Sequence, residues 1–183
     1  DKIKKKFIFF DNLDYLKIAK IKNKFISEDS LFILISKSGN TLETLVNSNL
    51  FKDKINNKNT IIITEKKTNM LNIFARKKNI LLIGHKDYIG GRFSVLSEVG
   101  MIPSYFMGLK VNSFRKNLLE FFKFKQKKSI LENVIKLSHI YKRKNINSII
   151  FLNYATELND FLFWCQQLIA ESLGKKGKGL LPV

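Results

Sequence analysis

The chain has 183 residues, with 33 lysines and arginines against 15 aspartates and glutamates, a formal charge of +18, and 45% hydrophobic residues. That length can bury the core of one domain plus part of another, while no apolar run is long enough to cross a bilayer and no secretory signal pattern is present. The single cysteine, Cys165, excludes an intrachain disulfide and suits a reducing compartment.

The predicted elements alternate. Strands are expected at Lys6–Asp11, Leu31–Ser36, Thr60–Thr64 and Ile80–Gly84, with helices over Leu13–Phe25, Thr41–Lys54 and Asn69–Lys77 between them. Leu31-Phe32-Ile33-Leu34-Ile35 is a continuous apolar run, as expected for a strand buried on both faces. Alternation of this kind argues for a parallel sheet with right-handed crossovers. Phe93–Phe106 reads as a further helix, and two more are expected between Val111 and Lys142. Ser148–Leu152 begins a new buried strand, and a helix follows through about Glu171. Cys165 falls inside the apolar pattern of that helix, which predicts a packed thiol rather than a nucleophile.

Most of the basic residues are lysines scattered over loops and helix surfaces. Lys123, Lys125, Lys127 and Lys128 lie among Phe121, Phe122 and Phe124, a mixture that imitates an aromatic-basic surface. The phenylalanines are expected to pack inward and the lysines to stay solvated. Neither a helix-turn-helix nor an aromatic-basic strand pattern is present, so no specific nucleic-acid partner is expected. The charge can still steer small anions. His85 sits at a strand end, where packing is expected, and His139 lies on a basic helix surface. No Cys/His cluster has metal spacing.

Two stretches carry chemistry. Leu31–Ile35 runs into Ser36-Lys37-Ser38-Gly39-Asn40-Thr41 and then a helix. A strand, a hydroxyl-rich glycine turn and a helix N-terminus form a phosphate cradle, because unpaired N–H groups and hydroxyls converge there. The plainer reading is an ordinary helix capped by Asn40 or Thr41. No Walker sequence occurs. The second stretch is Gly90-Gly91-Arg92-Phe93-Ser94, where two residues without Cβ precede a planar cation suited to oxyanions. A plain turn before a helix reads equally well from spacing alone.

Together with Trp164-Cys165-Gln166-Gln167-Leu168-Ile169-Ala170-Glu171-Ser172-Leu173-Gly174-Lys175, these stretches resemble one family. Ser36–Thr44 is similar to the sugar-phosphate loop of SIS (sugar isomerase) domains. Gly90–Ser94 is similar to the signature of glucose-6-phosphate isomerases, and the third stretch to the helix bearing their catalytic glutamate. The order of the three is the family's order, and the resemblance runs from Phe7 to Pro182.

The resemblance implies an α/β fold, an SIS-type three-layer αβα sandwich with a mainly parallel sheet. Residues 1–145 would form the first SIS domain with its following helices, and 146–183 the truncated beginning of a second. It implies interconversion of glucose 6-phosphate and fructose 6-phosphate through a cis-enediol, with no cofactor and no metal. Glu171 would transfer the proton, Arg92 would stabilise enediolate charge, and Ser36, Lys37, Ser38 and Thr41 would hold the phosphate, Lys37 by its charge or by backbone alone. Gly91 and Gln167 would complete the sugar site; Gln167 lies one helical turn before Glu171, on the same face. Without the resemblance, Glu171 reads as a solvated residue near a helix end.

A sugar-phosphate substrate, a homodimer at full length, a cytoplasmic location and no membrane association are expected. The family's upstream serine loop, its ring-opening histidine and its late lysine have no counterpart here, so the isolated chain is expected to be inactive. Two alternatives stand. One is another phosphosugar isomerase, such as one also accepting mannose 6-phosphate. The other is a non-catalytic sugar-phosphate sensor, which would need neither Gly90-Gly91-Arg92 nor the Gln167/Glu171 pair.

Overall fold

A computed structural model describes residues 5–25, 29–144 and 146–183. The chain separates into two compact units, Asp1–Val111 and Asn112–Val183. The domain boundary expected near residue 145 falls inside the second unit.

The first unit is organised around β2 (Thr60–Glu65), flanked by β1 (Phe32–Ile35) and β3 (Leu81–His85) in a three-stranded sheet of order β1-β2-β3. Both pairings are parallel, with Leu34 beside Ile62 and Ile62 beside Leu82. Neighbouring strand residues face opposite sides of a sheet. Ile62 and Ile63 are both fully buried, so the sheet is covered on both faces. Consecutive β-branched residues at 61–63 are what such a doubly covered central strand requires.

On the Ile62 face, α1 (Tyr15–Phe25), α2 (Leu42–Leu50) and α3 (Met70–Lys78) contribute to one core. Ile18, Phe51, Ile55, Leu71, Ala75 and Ile80 pack there, with Leu34 and Leu82 against them. α3 starts at Asn69, whose side chain accepts the Asn72 N–H. It ends at Asn79 in the left-handed conformation, with Arg76, Lys77 and Lys78 in its last turn. On the other face, His85 reaches Glu98 at the start of α4 (Glu98–Phe106), which packs on β3.

Two expectations in this unit are corrected. Lys6–Asp11 is not a strand. The Asn47 amide donates to the carbonyls of Phe10 (3.5 Å) and Asn12 (3.3 Å), and Phe10 turns its ring onto Phe51. The expected helix Phe93–Phe106 is two elements, a 3₁₀ helix at Gly91–Leu96 and then α4. Ser97, in extended backbone, separates them and caps α4 by accepting the Val99 N–H. A Cβ on Gly100 would lie 2.0 Å from the Val95 carbonyl oxygen, so the tight junction depends on that glycine.

α5 (Val111–Arg115) begins at the last residue of the first unit, and the second unit then holds a 3₁₀ turn at Leu118–Phe122, the long α6 (Phe124–Lys144), and α7 (Asn159–Leu173). α7 lies between two short parallel strands, β4 (Ser148–Ile149) and β5 (Leu181–Pro182). The strand expected over Ser148–Leu152 is therefore shorter. Leu181–Pro182 forms β4's parallel partner. No residue of this unit is buried among those described. Phe121, Phe122 and Phe124 are 57%, 76% and 83% exposed, which overturns their expected inward packing. Cys165 is half-buried and His139 is exposed.

Candidate functional site

The turn Ser36–Thr41 leaves the carboxyl end of β1, where open parallel sheets bind ligands. Its shape is fixed from beneath. Gly39 takes φ +67°, a conformation that L side chains rarely adopt, and a Cβ there would lie 2.0 Å from Asn69 Oδ1. The Gly39 carbonyl accepts the Leu71 N–H at 3.1 Å, and Asn40 Oδ1 accepts the Met70 N–H at 3.0 Å. Two N–H groups from the first turn of α3 thus hold this loop in place. Asn69 buttresses it further, its amide donating to Thr64 Oγ1 and to the carbonyls of Glu65 and Lys67.

Thr41 occupies the N-cap of α2 without capping it. Its hydroxyl lies 2.7 Å from Ser36 Oγ, and Ser36 Oγ in turn accepts the Gly39 N–H at 3.1 Å. Ser38 Oγ accepts the Asn40 N–H. The hydroxyls therefore brace the turn and leave the start of α2 without a side-chain cap. Glu43 lies in the first turn of α2, exposed, and partly offsets the positive helix end.

Lys37 turns elsewhere. Its ammonium donates to the carbonyls of Asp87 (2.9 Å) and Ile89 (2.8 Å) and pairs with Glu65 Oε1 at 3.4 Å. An ammonium has three donors, and three acceptors surround this one. Glu65 also meets Lys67 at 2.7 Å. The hydrogen bond from Lys67 holds the Glu65 carboxyl below the usual carboxylate range against the opposing effect of burial, with Lys37 adding to it.

The Gly90-Gly91-Arg92 turn follows β3 through residues 86–89. Neither glycine has a positive φ, so no backbone constraint demands them. A Cβ on Gly90 would touch the Phe93 ring at 3.0 Å, whereas one on Gly91 would meet nothing within 4 Å. Gly91 borders open space. Arg92 stacks its guanidinium over Phe93, 4.7 Å from the ring centroid. Ser94 and Ser97 donate to the carbonyls of Gly91 (2.6 Å) and Ser94 (2.7 Å), tightening the 3₁₀ helix.

His85 and Glu98 anchor the same segment. His85 Nδ1 lies 3.0 Å from Glu98 Oε1, and that oxygen accepts the Lys86 N–H at 3.2 Å. Burial raises the Glu98 carboxyl, but its own backbone N–H, His85 and the Lys86 N–H outweigh that and leave it below the usual range. His85 Nε2 is buried with no hydrogen-bond partner among the described residues.

In the second unit, Gln167 and Glu171 lie on one exposed face of α7, the Gln167 amide donating to Glu171 Oε1 at 2.9 Å. The first unit thus carries Ser36, Lys37, Ser38 and Thr41 on one turn and Gly91 and Arg92 on another, with Lys37 tied to the segment that precedes Gly91, and the second unit pairs Gln167 with Glu171. Sequence reasoning missed Glu65, Asn69 and Glu98. Of these only Asn69 had a local signal, an asparagine directly before a helical run. Among the described residues, no group of three or more His, Cys, Asp or Glu side chains is placed to hold a metal, and no helix is long and apolar enough to cross a membrane.

Comparison with known proteins gives a consistent result. The phosphoglucose isomerase family model matches residues 1–179. A glucose-6-phosphate isomerase of Methanocaldococcus jannaschii is 34% identical over 184 residues, covering 96% of this chain and 45% of the relative. One from Campylobacter jejuni is 33% identical over 189 residues, covering 94% of this chain and 45% of the relative. The chain thus spans a little under half the length of these relatives. A crystal structure of a hypothetical protein from Thermus thermophilus superposes with a TM-score of 0.82 at 23% identity, covering 97% of this chain and 46% of that one, and shares the α/β fold. With the family model matched along almost the whole chain, this protein belongs to the phosphoglucose isomerase family.

Proposed function

We propose that the protein interconverts glucose 6-phosphate and fructose 6-phosphate, as a cytoplasmic glycolytic and gluconeogenic enzyme that works as a homodimer at full length. The family match across residues 1–179 carries this reading. The uncapped start of α2, bordered by Ser36, Ser38 and Thr41, supports it from the geometry. We place the start of the family's second domain at residue 146, where β4 and α7 follow.

In this mechanism the phosphate sits at the N-terminus of α2. Backbone N–H groups of the turn, including that of Lys37, and the hydroxyls of Ser36, Ser38 and Thr41 bind its oxygens. Binding energy from this remote group positions the reacting carbons. The Glu171 carboxylate takes the proton from C2 and returns it to C1, while the proton on oxygen moves between O1 and O2, giving a cis-enediol between aldose and ketose. Arg92 stabilises negative charge developing on the enediolate oxygens, and Gln167 orients Glu171. Gly91 leaves room for the sugar beside the chain.

Glu171→Gln tests the assignment, because it keeps shape and hydrogen bonding but cannot accept the proton. In the full-length protein, kcat for fructose 6-phosphate should fall by about 100-fold or more, the usual range for a lost general base, with a modest change in substrate Kd. Deuterium exchange from solvent at C1 should fall in parallel. Near-normal turnover and exchange would remove Glu171 from the mechanism.

A further inference from the structure

At the carboxyl end of the sheet, the residue row Ile35–Ile63–Ile83 is followed two positions on by Lys37, Glu65 and His85. Glu65 pairs in register with His85, and the Lys37 carbonyl accepts the Glu65 N–H at 3.1 Å. Three apolar residues therefore give way to a polar row where the strands end. The segment 86–90 crosses this end of the sheet on its way to Gly91 and Arg92.

That segment is gripped from two sides. Glu98 accepts the Lys86 N–H at its start, and Lys37 donates to the Asp87 and Ile89 carbonyls further along. The two carbonyls Lys37 holds lie 50 and 52 positions away in sequence. A buried carboxylate, Glu65, fixes the ammonium from beneath. Lysine side chains lose considerable rotamer freedom when fixed in one geometry, so three polar partners around this one mark a specific tie.

From this geometry we infer that Lys37 is a positioning residue. Its side chain fastens the segment leading to Gly90-Gly91-Arg92 to the phosphate turn, so that an anion seated at Ser36–Thr41 sets the place of Arg92. The backbone of Lys37 belongs to the cradle while its side chain belongs to the Arg92 segment, and one residue thereby couples the two. This inference rests on the phosphate-cradle reading of the proposed function. It assigns the Lys37 ammonium to the protein's own carbonyls rather than to the substrate.

Amide NMR with inorganic phosphate as the probe separates the two claims. In the wild-type protein, phosphate should shift the amides of Ser38–Thr41 and also those of Gly91–Phe93. Lys37→Met should keep the first set of shifts and lose the second. Its phosphate Kd should change less than about threefold, because no side-chain contact to the anion is removed. Lys37→Arg, whose guanidinium can reach the same carbonyls, should restore the coupled shifts, which a merely structural role would not require.

Persistence of the Gly91–Phe93 shifts in Lys37→Met would overturn the inference and leave the cradle standing. A large loss of phosphate affinity in that variant would also overturn it, by showing that the ammonium meets the anion. Absence of any shift at Ser38–Thr41 in the wild type would instead remove the cradle reading, and the inference with it. Should Lys37→Met disturb the β1–β3 amides, Lys37→Gln takes its place in the comparison, with the same outcomes deciding.

Discussion

Replacing Gly39 by alanine tests the architecture beneath the candidate site most directly. The left-handed backbone costs an L residue about 1–2 kcal/mol. The new methyl would stand 2.0 Å from Asn69 Oδ1, so the Asn69 side chain must move. Movement forfeits the cap on the Asn72 N–H, about 1 kcal/mol. It also strands buried polar groups at Thr64, Glu65 and Lys67, about 1–3 kcal/mol.

Gly39→Ala should therefore destabilise the first unit by about 3–6 kcal/mol, a large part of the 5–15 kcal/mol typical of a domain. Urea unfolding followed by circular dichroism reads this as a lower midpoint at unchanged slope. A double-mutant cycle isolates the cause. Asn69→Ala removes the clashing atoms, so adding Gly39→Ala on that background should cost only the backbone penalty, about 1–2 kcal/mol. Additive costs, or a loss below about 1 kcal/mol for Gly39→Ala alone, would refute the account, since strain at a left-handed site already exceeds that.

Thr41→Ala should cost about 0.5–1.5 kcal/mol of stability through its bond to Ser36, yet weaken sugar-phosphate binding by about 10-fold or more, as expected for a lost bond to a charged oxygen; calorimetric titration of the full-length protein checks this. Gly91→Ala should leave stability within about 0.5 kcal/mol, because its Cβ meets nothing, while raising the KM for fructose 6-phosphate. Glu98 has a folded pKa below its unfolded value, so its contribution to stability is present above the unfolded pKa of about 4.3 and is lost as pH falls through the folded one. Urea midpoints measured between about pH 3 and 7 should show Glu98→Gln with a shallower acid limb than the wild type.

The strand–turn–helix units were legible because apolar runs and capping residues are local signals. Ile61–Ile63 could hardly be anything but a buried strand, and Asn69 announces α3. The failures have physical causes of longer range. Lys6–Asp11 has strand composition, but the Asn47 amide, 37 positions away, takes the Phe10 carbonyl that a neighbouring strand would have used. Phe93–Phe106 has helical periodicity throughout, and only the cap at Ser97 and the contact of Gly100 with Val95 divide it. β5 contains Pro182 and spans two residues, too short for any periodic signal. In the candidate site, residue types were readable and partners were not. Nothing local tells Lys37 that its acceptors are the Glu65 carboxylate and the carbonyls of Asp87 and Ile89.

The second unit, with no buried residue among those described, has a consequence for how the chain breathes. Amide hydrogens exchange with solvent through local or global opening, and protection follows the cost of the cheapest opening available. Around Ile62 and Ile63, opening means exposing the core, so β2 amides should exchange only through global unfolding. Along α6 nearly every apolar side chain already faces water, and breaking its helical hydrogen bonds sacrifices little packing. The α6 amides should therefore exchange orders of magnitude faster than those of β2, making the slow-exchanging set a map of the first unit.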